Sequence, residues 1–267
     1  MTADVMAERG RLDIGRVISE TLQVLRRNIV TFSILGLLLA GLPMGIITFI
    51  QARTMGGLAT GKFSFSSGYF GAIGIGGLTA MITNAILQGA LIYATVQDLN
   101  GRKASVGDSL ATGLRNFLPL LGVTILFAVA FVLSSLLLIF PAIMLACAWC
   151  VVAPSVVADR TGVFGAFGRS AELTRGSRWP IFGLFVLLAV FFIVLGTVFN
   201  VLSGVSMMAA NPAAIVAQMT SPLFVIMGVI RQTIGAMIGS TLVAVLYVEL
   251  RRAREGAGPQ WLADIFS

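Results

Sequence analysis

The chain has 267 residues, 57% of them hydrophobic and only 11% charged, with a mean hydropathy of +0.97. Soluble domains carry about 25% charged residues, so a water-soluble globule is excluded. The net charge of +7 does not point to nucleic acid as a partner, because the cations sit beside the ends of apolar runs, where membrane topology puts them.

Residues 1–10 are polar, and the first apolar run begins only near Asn28. No cleavable signal sequence is therefore expected, and that run reads as an uncleaved first span. Ahead of it, Ile14, Val17, Ile18, Leu22, Leu25 and Ile29 recur at helical spacing, with Arg16, Glu20, Gln23, Arg26 and Arg27 between them. With Asp13 as cap, this stretch predicts an amphipathic helix lying on the membrane surface and ending at residue 27. Span one covers about 28–50, with a kink expected at Gly41-Leu42-Pro43. A Gly-, Ser- and Thr-rich stretch over 51–69 predicts a loop. Span two covers about 70–97 and is stopped by Asp98, Asn100, Gly101, Arg102 and Lys103. Ser105-x-x-Asp108 has the form of a capping box for a second, short surface helix with the stripe Val106, Leu110, Leu114 and Phe117.

From Phe117 to Ala158 there is no Asp, Glu, Lys or Arg. A helical span needs about 20 apolar residues, so this run holds two. They are expected over 117–140 and 142–158, with Pro141 in the tight turn between them. A third surface helix follows, with Phe164, Phe167, Ala171 and Thr174 on one side and Gly176 as its stop. Span five runs over about 181–202. A charge-free stretch containing Asn211-Pro212 predicts a short helix on the outer face. Span six runs over about 223–250, and 251–267 form a basic tail.

Fifteen of the eighteen Lys and Arg residues then fall on one side, Arg53 and Lys62 on the other, and Arg231 within span six. By the positive-inside rule both termini are cytoplasmic. The expected fold is an all-α integral membrane protein, a single domain of six transmembrane helices with cytoplasmic amphipathic helices. Arg27-Asn28, Arg115-Asn116 and Arg178-Trp179 each join such a helix to an outgoing span, which suggests three repeated helix-hairpin units.

Chemistry is scarce. There is no His, no phosphate-binding Gly loop and no carboxylate pair within a span, so no catalytic, cofactor or metal site is expected and the chain does not read as an enzyme. Cys147 and Cys150 have the spacing of a redox pair, but they lie inside an apolar span and read as small apolar filler. Arg231, beside Gln232, is the one full charge within a run; it either lies in hydrocarbon and needs a ligand or reaches the outer interface. Asn84 and Gln88 share a helical face, and with Asn200 they are expected to join helices or, less simply, to line a polar path. Gly235-x-x-x-Gly239 permits close helix contact. Glu249 is expected to pair with Arg251 and Arg252. Arg16, Arg26, Arg27, Arg115, Arg169, Arg175, Arg178 and Trp179 are candidate contacts for anionic headgroups.

One wider pattern remains. Trp149, Pro154, Asp159, Ala166, Ser170, Glu172-Leu173-Thr174-Arg175-Gly176 and Trp179, with Gln88-Gly89-Ala90-Leu91, Tyr93, Asp98 and Tyr247-x-Glu249-Leu250-Arg251, give the chain its family likeness. It resembles the bacterial membrane-domain family attached to some glycerophosphoryl diester phosphodiesterases, in a stand-alone form without the catalytic barrel. The resemblance implies six spans in a bacterial inner membrane and a link to lipid or envelope metabolism. The expected function is therefore a non-enzymatic protein that binds or organises lipids or protein partners, itself included; the alternative is a small transporter or lipid-translocating protein.

Overall fold

In the computed structural model, described here over residues 12–59, 67–137, 139–203 and 221–255, the chain is helical with no strand among the described residues. Among the described residues, six helical stretches are long and apolar enough to cross a membrane: Ile29–Ile50, Gly74–Leu99, Val106–Leu136, Phe140–Asp159, Arg178–Leu202 and Pro222–Glu255. The predicted outer helix over 204–220 and most of the tail lie outside the described residues.

Helix α1 is Ile14–Arg27, and its cap is as expected: Asp13 Oδ1 accepts from the Arg16 N–H at 3.2 Å. Its inner stripe differs from the expected one. Val17, Thr21, Val24 and Leu25 are buried, whereas Leu22 is 61% exposed. That stripe packs on the last helix of the bundle, so the apolar face is largely used up within the protein.

Span one consists of α2 (Ile29–Gly36), a π turn (Leu37–Gly41) and α3 (Leu42–Ala59). The expected kink is this π turn, in which the Leu42 N–H reaches back to the Leu37 carbonyl. Its extra residue has a purpose visible in the contacts. Gly36 and Gly41, five apart, would point about 140° apart on a regular helix. The π turn brings both, with Gly45, against span six, where a Cβ on Gly41 would lie 2.6 Å from Thr233 Oγ1. Close helix contact therefore runs along span one; the predicted Gly235/Gly239 motif does not make it, since a Cβ on Gly239 would meet nothing within 4 Å. Helix α3 extends to Ala59 and α4 (Ser67–Leu99) begins at Ser67, so the predicted loop over 51–69 shortens from both ends.

Helix α5 (Val106–Leu137) corrects another boundary. Ser105 caps it, its hydroxyl accepting from the Asp108 N–H at 3.0 Å, but no separate surface helix follows. The helix runs straight on through Pro119, which removes one backbone donor without breaking it. The hairpin is expected to turn at Pro141, but helix resumes before it. Pro141 falls in the first turn of α6 (Ile139–Ala148), where its missing N–H would have had no helical partner.

Predicted span four is not one helix. It stops at Ala148 and restarts as α7 (Val152–Asp159), because Pro154 cannot donate to the Cys150 carbonyl and its ring crowds that carbonyl. Helix α8 (Gly162–Leu173) covers the break with Ala166, Ser170 and Leu173, while Phe164 is 80% exposed rather than on the inner stripe. After Gly176 (φ 85°) come α9 (Arg178–Leu202) and α10 (Pro222–Glu255), the latter capped by Ser221, whose hydroxyl accepts from the Phe224 N–H at 3.2 Å.

Helix α10 is the axis of the bundle. It touches α1, span one, α4, α7, α8 and α9, and 61% of its apolar stretch is buried against 11% for α5 and α9. The most apolar spans are thus the outermost. Residues that meet hydrocarbon must be apolar all round, whereas Thr233, Thr241, Tyr247 and small residues are tolerated where helix meets helix.

Candidate functional site

Long helices overshoot a bilayer. At 1.5 Å per residue, α10 is about 51 Å long against ~30 Å of hydrocarbon. Its C-terminal turns therefore stand in a polar layer, and there they meet α1, the end of α4, α7 and α8.

Two sets of ion pairs close this end. In the first, Asp159 takes Arg169 at 3.2 Å and Arg251 at 2.9 Å, and Glu255 takes Arg251 at 2.7 Å and Arg169. The four groups form a ring that ties α7 and α8 to α10, and the Tyr247 hydroxyl accepts from Arg251 at 3.1 Å. Burial works against the charge of Arg169, but Glu255 and Asp159 outweigh it and hold the guanidinium above its ordinary range. In the second set, Glu249, only 6% exposed in its side chain, joins Arg252 at 2.6 Å and Arg16 at 3.4 Å, with Glu20 beyond Arg252 at 3.5 Å. A third tie links the junction of α1 and α2 to the end of α4: Arg27 reaches Asp98 through Nε at 3.0 Å, and the Asn28 amide donates to Asp98 Oδ1 at 2.7 Å.

Three of the candidate headgroup contacts, Arg16, Arg27 and Arg169, are therefore spent on carboxylates of the protein itself. Sequence spacing missed this because their partners lie on other helices. Glu249 pairs with Arg252 as expected; Arg251 turns instead to Asp159 and Glu255.

Glu20 lies where two carboxylates crowd. Burial first, and the Glu249 carboxylate second, push its pKa up, with Arg252 and Arg16 opposing. A carboxyl raised in the folded state binds its proton more tightly there than in the unfolded chain. Its contribution to stability is full below the unfolded pKa and is lost as pH rises through the folded value. Glu20→Gln is thus expected to stabilise the protein in detergent slightly at neutral pH, by under about 1 kcal/mol at a half-buried site that solvent still screens, read as a small rise in melting temperature. The gain should fade as pH drops through the unfolded pKa of about 4.3 and vanish near pH 3, where the wild-type carboxyl is protonated in both states. A lower melting temperature at pH 7 would contradict this.

The other candidate residues are scattered. Arg231 is exposed on α10 and Gln232 half-buried, with no hydrogen bond or ion pair for either among the described residues. Asn84 is exposed and donates to the Ala80 carbonyl of its own helix at 2.8 Å, so it joins no other helix. Gln88, one turn on from Asn84 along the same helix, and Asn200 are half-buried. Cys147 is buried, Cys150 half-buried, and both are free thiols beside the helix break.

That break is closed by side chains. The Ser170 hydroxyl donates to the Ala148 carbonyl at 3.0 Å and accepts from the Val151 N–H at 3.3 Å. Thr174 Oγ1 lies 3.1 Å from the Ala148 carbonyl and 2.9 Å from that of Ser170, sharing its proton between them. Trp149 then stacks edge-on against Phe167, centroids 4.7 Å apart.

Two clefts open at the same end. One, of about 710 Å³, is lined by Met144, Ala171, Glu172, Arg175, Gly176, Arg178 and Trp179. The Arg178 Nε is buried without a hydrogen-bond partner among the described residues, and Trp179 is 69% exposed. The other, of about 400 Å³, is lined by Tyr93 of α4, Thr112, Arg115 and Asn116 of α5, and Val157 and Arg160 at the end of α7. Arg115-Asn116 and Tyr93 stand out in the sequence only separately, and Thr112 and Arg160 do not stand out as their neighbours. The signal was there: Arg115 and Arg160 bracket the charge-free run, and a hairpin returns its two ends to one place.

No protein-family model, curated protein or solved structure matches the chain.

Proposed function

We propose that this is a non-enzymatic multi-pass protein of a bacterial inner membrane, with both termini cytoplasmic, whose basic end binds the anionic headgroups of the inner leaflet. One observation carries the reading. After the ion pairs are formed, Arg26, Arg115, Arg175 and Arg178 have no carboxylate among the described residues, and they stand at the rim of the apolar surface with Trp179. Cations at such a rim gain about 1 kcal/mol each from an anionic leaflet, and an exposed Trp suits the same depth. An accessory role in lipid or envelope metabolism follows from the resemblance to the diesterase membrane domains. The residues on which that resemblance rests are mostly structural ties, among them Asp98, Asp159, Ser170, Thr174 and Arg251. A likeness of that kind speaks for a shared fold and is silent on the ligand.

The three repeated units belong to the same proposal. Asn28 and Asn116 both donate to the carbonyl four residues earlier, of Val24 and Thr112, at 3.1 and 2.9 Å, which supports kinship of the first two units. The transporter alternative draws on the broken span, the kind of element that holds substrates in transporters. Here Ser170 and Thr174 already take up the Ala148 carbonyl and the Val151 N–H.

The test is lipid retention. Protein reconstituted in nanodiscs of mixed phosphatidylcholine and phosphatidylglycerol, then released for native mass spectrometry, should carry phosphatidylglycerol in excess of its share. The excess should fall stepwise in Arg26→Gln, Arg175→Gln and Arg178→Gln. Retention in proportion to the bilayer composition would refute the reading.

A further inference from the structure

We propose that the cleft between α4, α5 and α7 is a binding site for one phosphate-bearing anion, held between the guanidinium groups of Arg115 and Arg160. The site resolves the lipid-binding reading above into a defined ligand position, and it rests on that reading only for the source of the anion.

The argument starts from the charge-free run. Because Phe117 to Ala158 forms a hairpin, the cations just outside it meet at its open end. Two like charges lining one cleft of about 400 Å³ repel each other and call for a counter-ion. The protein supplies none among the described residues. Asp159, next to Arg160, is committed to Arg169 and Arg251; Asp98 is committed to Arg27 and Asn28; Asp108 accepts from the hydroxyl of its cap, Ser105. No acidic side chain is among the lining residues described.

The remaining groups suit an oxyanion. Thr112, Arg115 and Asn116 stand at i, i+3 and i+4, hence on one face of α5. The Asn116 amide gives one hydrogen to the Thr112 carbonyl at 2.9 Å, which leaves its second for a ligand. A guanidinium presents its donors in a planar fork that matches two phosphate oxygens, so two arginines can hold one phosphate from two sides. The level is also right. Val157 lines the cleft and Phe117 starts the apolar run, so the site stands where hydrocarbon gives way to headgroups.

Arg160 itself adds an observation. It is the one non-glycine with positive φ among the described residues, at 51°, in the helix-terminating position that glycine fills without strain. Its side chain can thus be removed by Arg160→Gly with the backbone relieved rather than burdened.

The experiment uses the full chain in the same nanodiscs. Wild type should retain one phosphatidylglycerol that survives exchange, and Arg115→Gln and Arg160→Gly should each weaken its retention about tenfold, the loss of one charge-assisted contact. Arg26→Gln, outside the cleft, should keep that one lipid. Arg160→Gly should melt no lower than wild type, so it remains informative even where Arg115→Gln fails to fold. A second arm measures modification of arginines by phenylglyoxal in detergent, with and without inorganic phosphate, by peptide mapping. Protection of Arg115 and Arg160 by phosphate, without any difference in retained lipid, would support the site while refuting a lipid as its occupant. Unchanged lipid retention in both variants together with no protection would overturn the proposal, and the leaflet-binding reading would still stand or fall on its own arginine series.

Discussion

Gly113→Ala is expected to prise α5 from α4 and to destabilise the protein by roughly 2–3 kcal/mol, the cost of overpacking a close contact. A Cβ at Gly113 would lie 2.3 Å from the Ile86 carbonyl oxygen and 3.2 Å from the Ala90 nitrogen. Both are backbone atoms of α4, so no side chain can swing aside. The contact is glycine against glycine: a Cβ on Gly89 would lie 3.1 Å from the Gly113 Cα. Two opposing effects meet here, since alanine gains about 1 kcal/mol over glycine in helix propensity. The clash wins because only translation of a whole helix relieves it. Gly239→Ala, where the new Cβ meets nothing within 4 Å, should show the propensity gain alone and melt slightly higher. Unfolding in graded SDS, followed by circular dichroism, compares the two. Equal stability of Gly113→Ala and wild type would mean that α4 and α5 do not touch as described. Because Tyr93 lies one turn from Gly89, and Thr112 and Asn116 flank Gly113, the same variant should also lose the anion from the cleft.

The double change Ser170→Ala with Thr174→Val should cost about 2–4 kcal/mol, from one donor and one acceptor left bare in a place without water. Both hydroxyls are fully buried, and between them they satisfy the Ala148 carbonyl and the Val151 N–H at the helix break. Thr174→Val alone should cost little, because Ser170 still serves both groups, whereas Ser170→Ala alone should cost about half, since Thr174 still reaches Ala148 but the Val151 N–H is left bare. Ser155→Ala is the control. Its hydroxyl is equally buried, yet it only doubles a bond that the Ser155 N–H already makes to the Val151 carbonyl. That variant should be near neutral. A double variant as stable as Ser155→Ala would show that the break is held by α6 and α7 alone.

Both predictions rest on contacts that the sequence pattern does not announce. Gly113 lies in a stretch that reads simply as helix, and Ser170 and Thr174 look like ordinary polar positions of a surface helix. The pairings of Arg16 with Glu249 and of Arg169 with Glu255 were equally hidden, since those partners are 233 and 86 residues away. By contrast, the caps at Asp13 and Ser105 and the stop at Gly176 were legible, because each is decided within four residues of chain.

The same division separates what the chain determined alone from what only its folding decided. The six spans were determined in one dimension: transfer into hydrocarbon sums residue by residue, so length and apolarity suffice to place Ile29–Ile50 or Arg178–Leu202. A span that is apolar all round carries no mark of which face turns inward. The tertiary structure made that choice, putting α10 at the axis and α5 and α9 outside and phasing Gly36 and Gly41 through a π turn. It also decided which arginines are neutralised and which are left facing a cleft. Those outcomes depend on the relative rotation and depth of helices distant in sequence, which are set by contact between them and not by the pattern along any one.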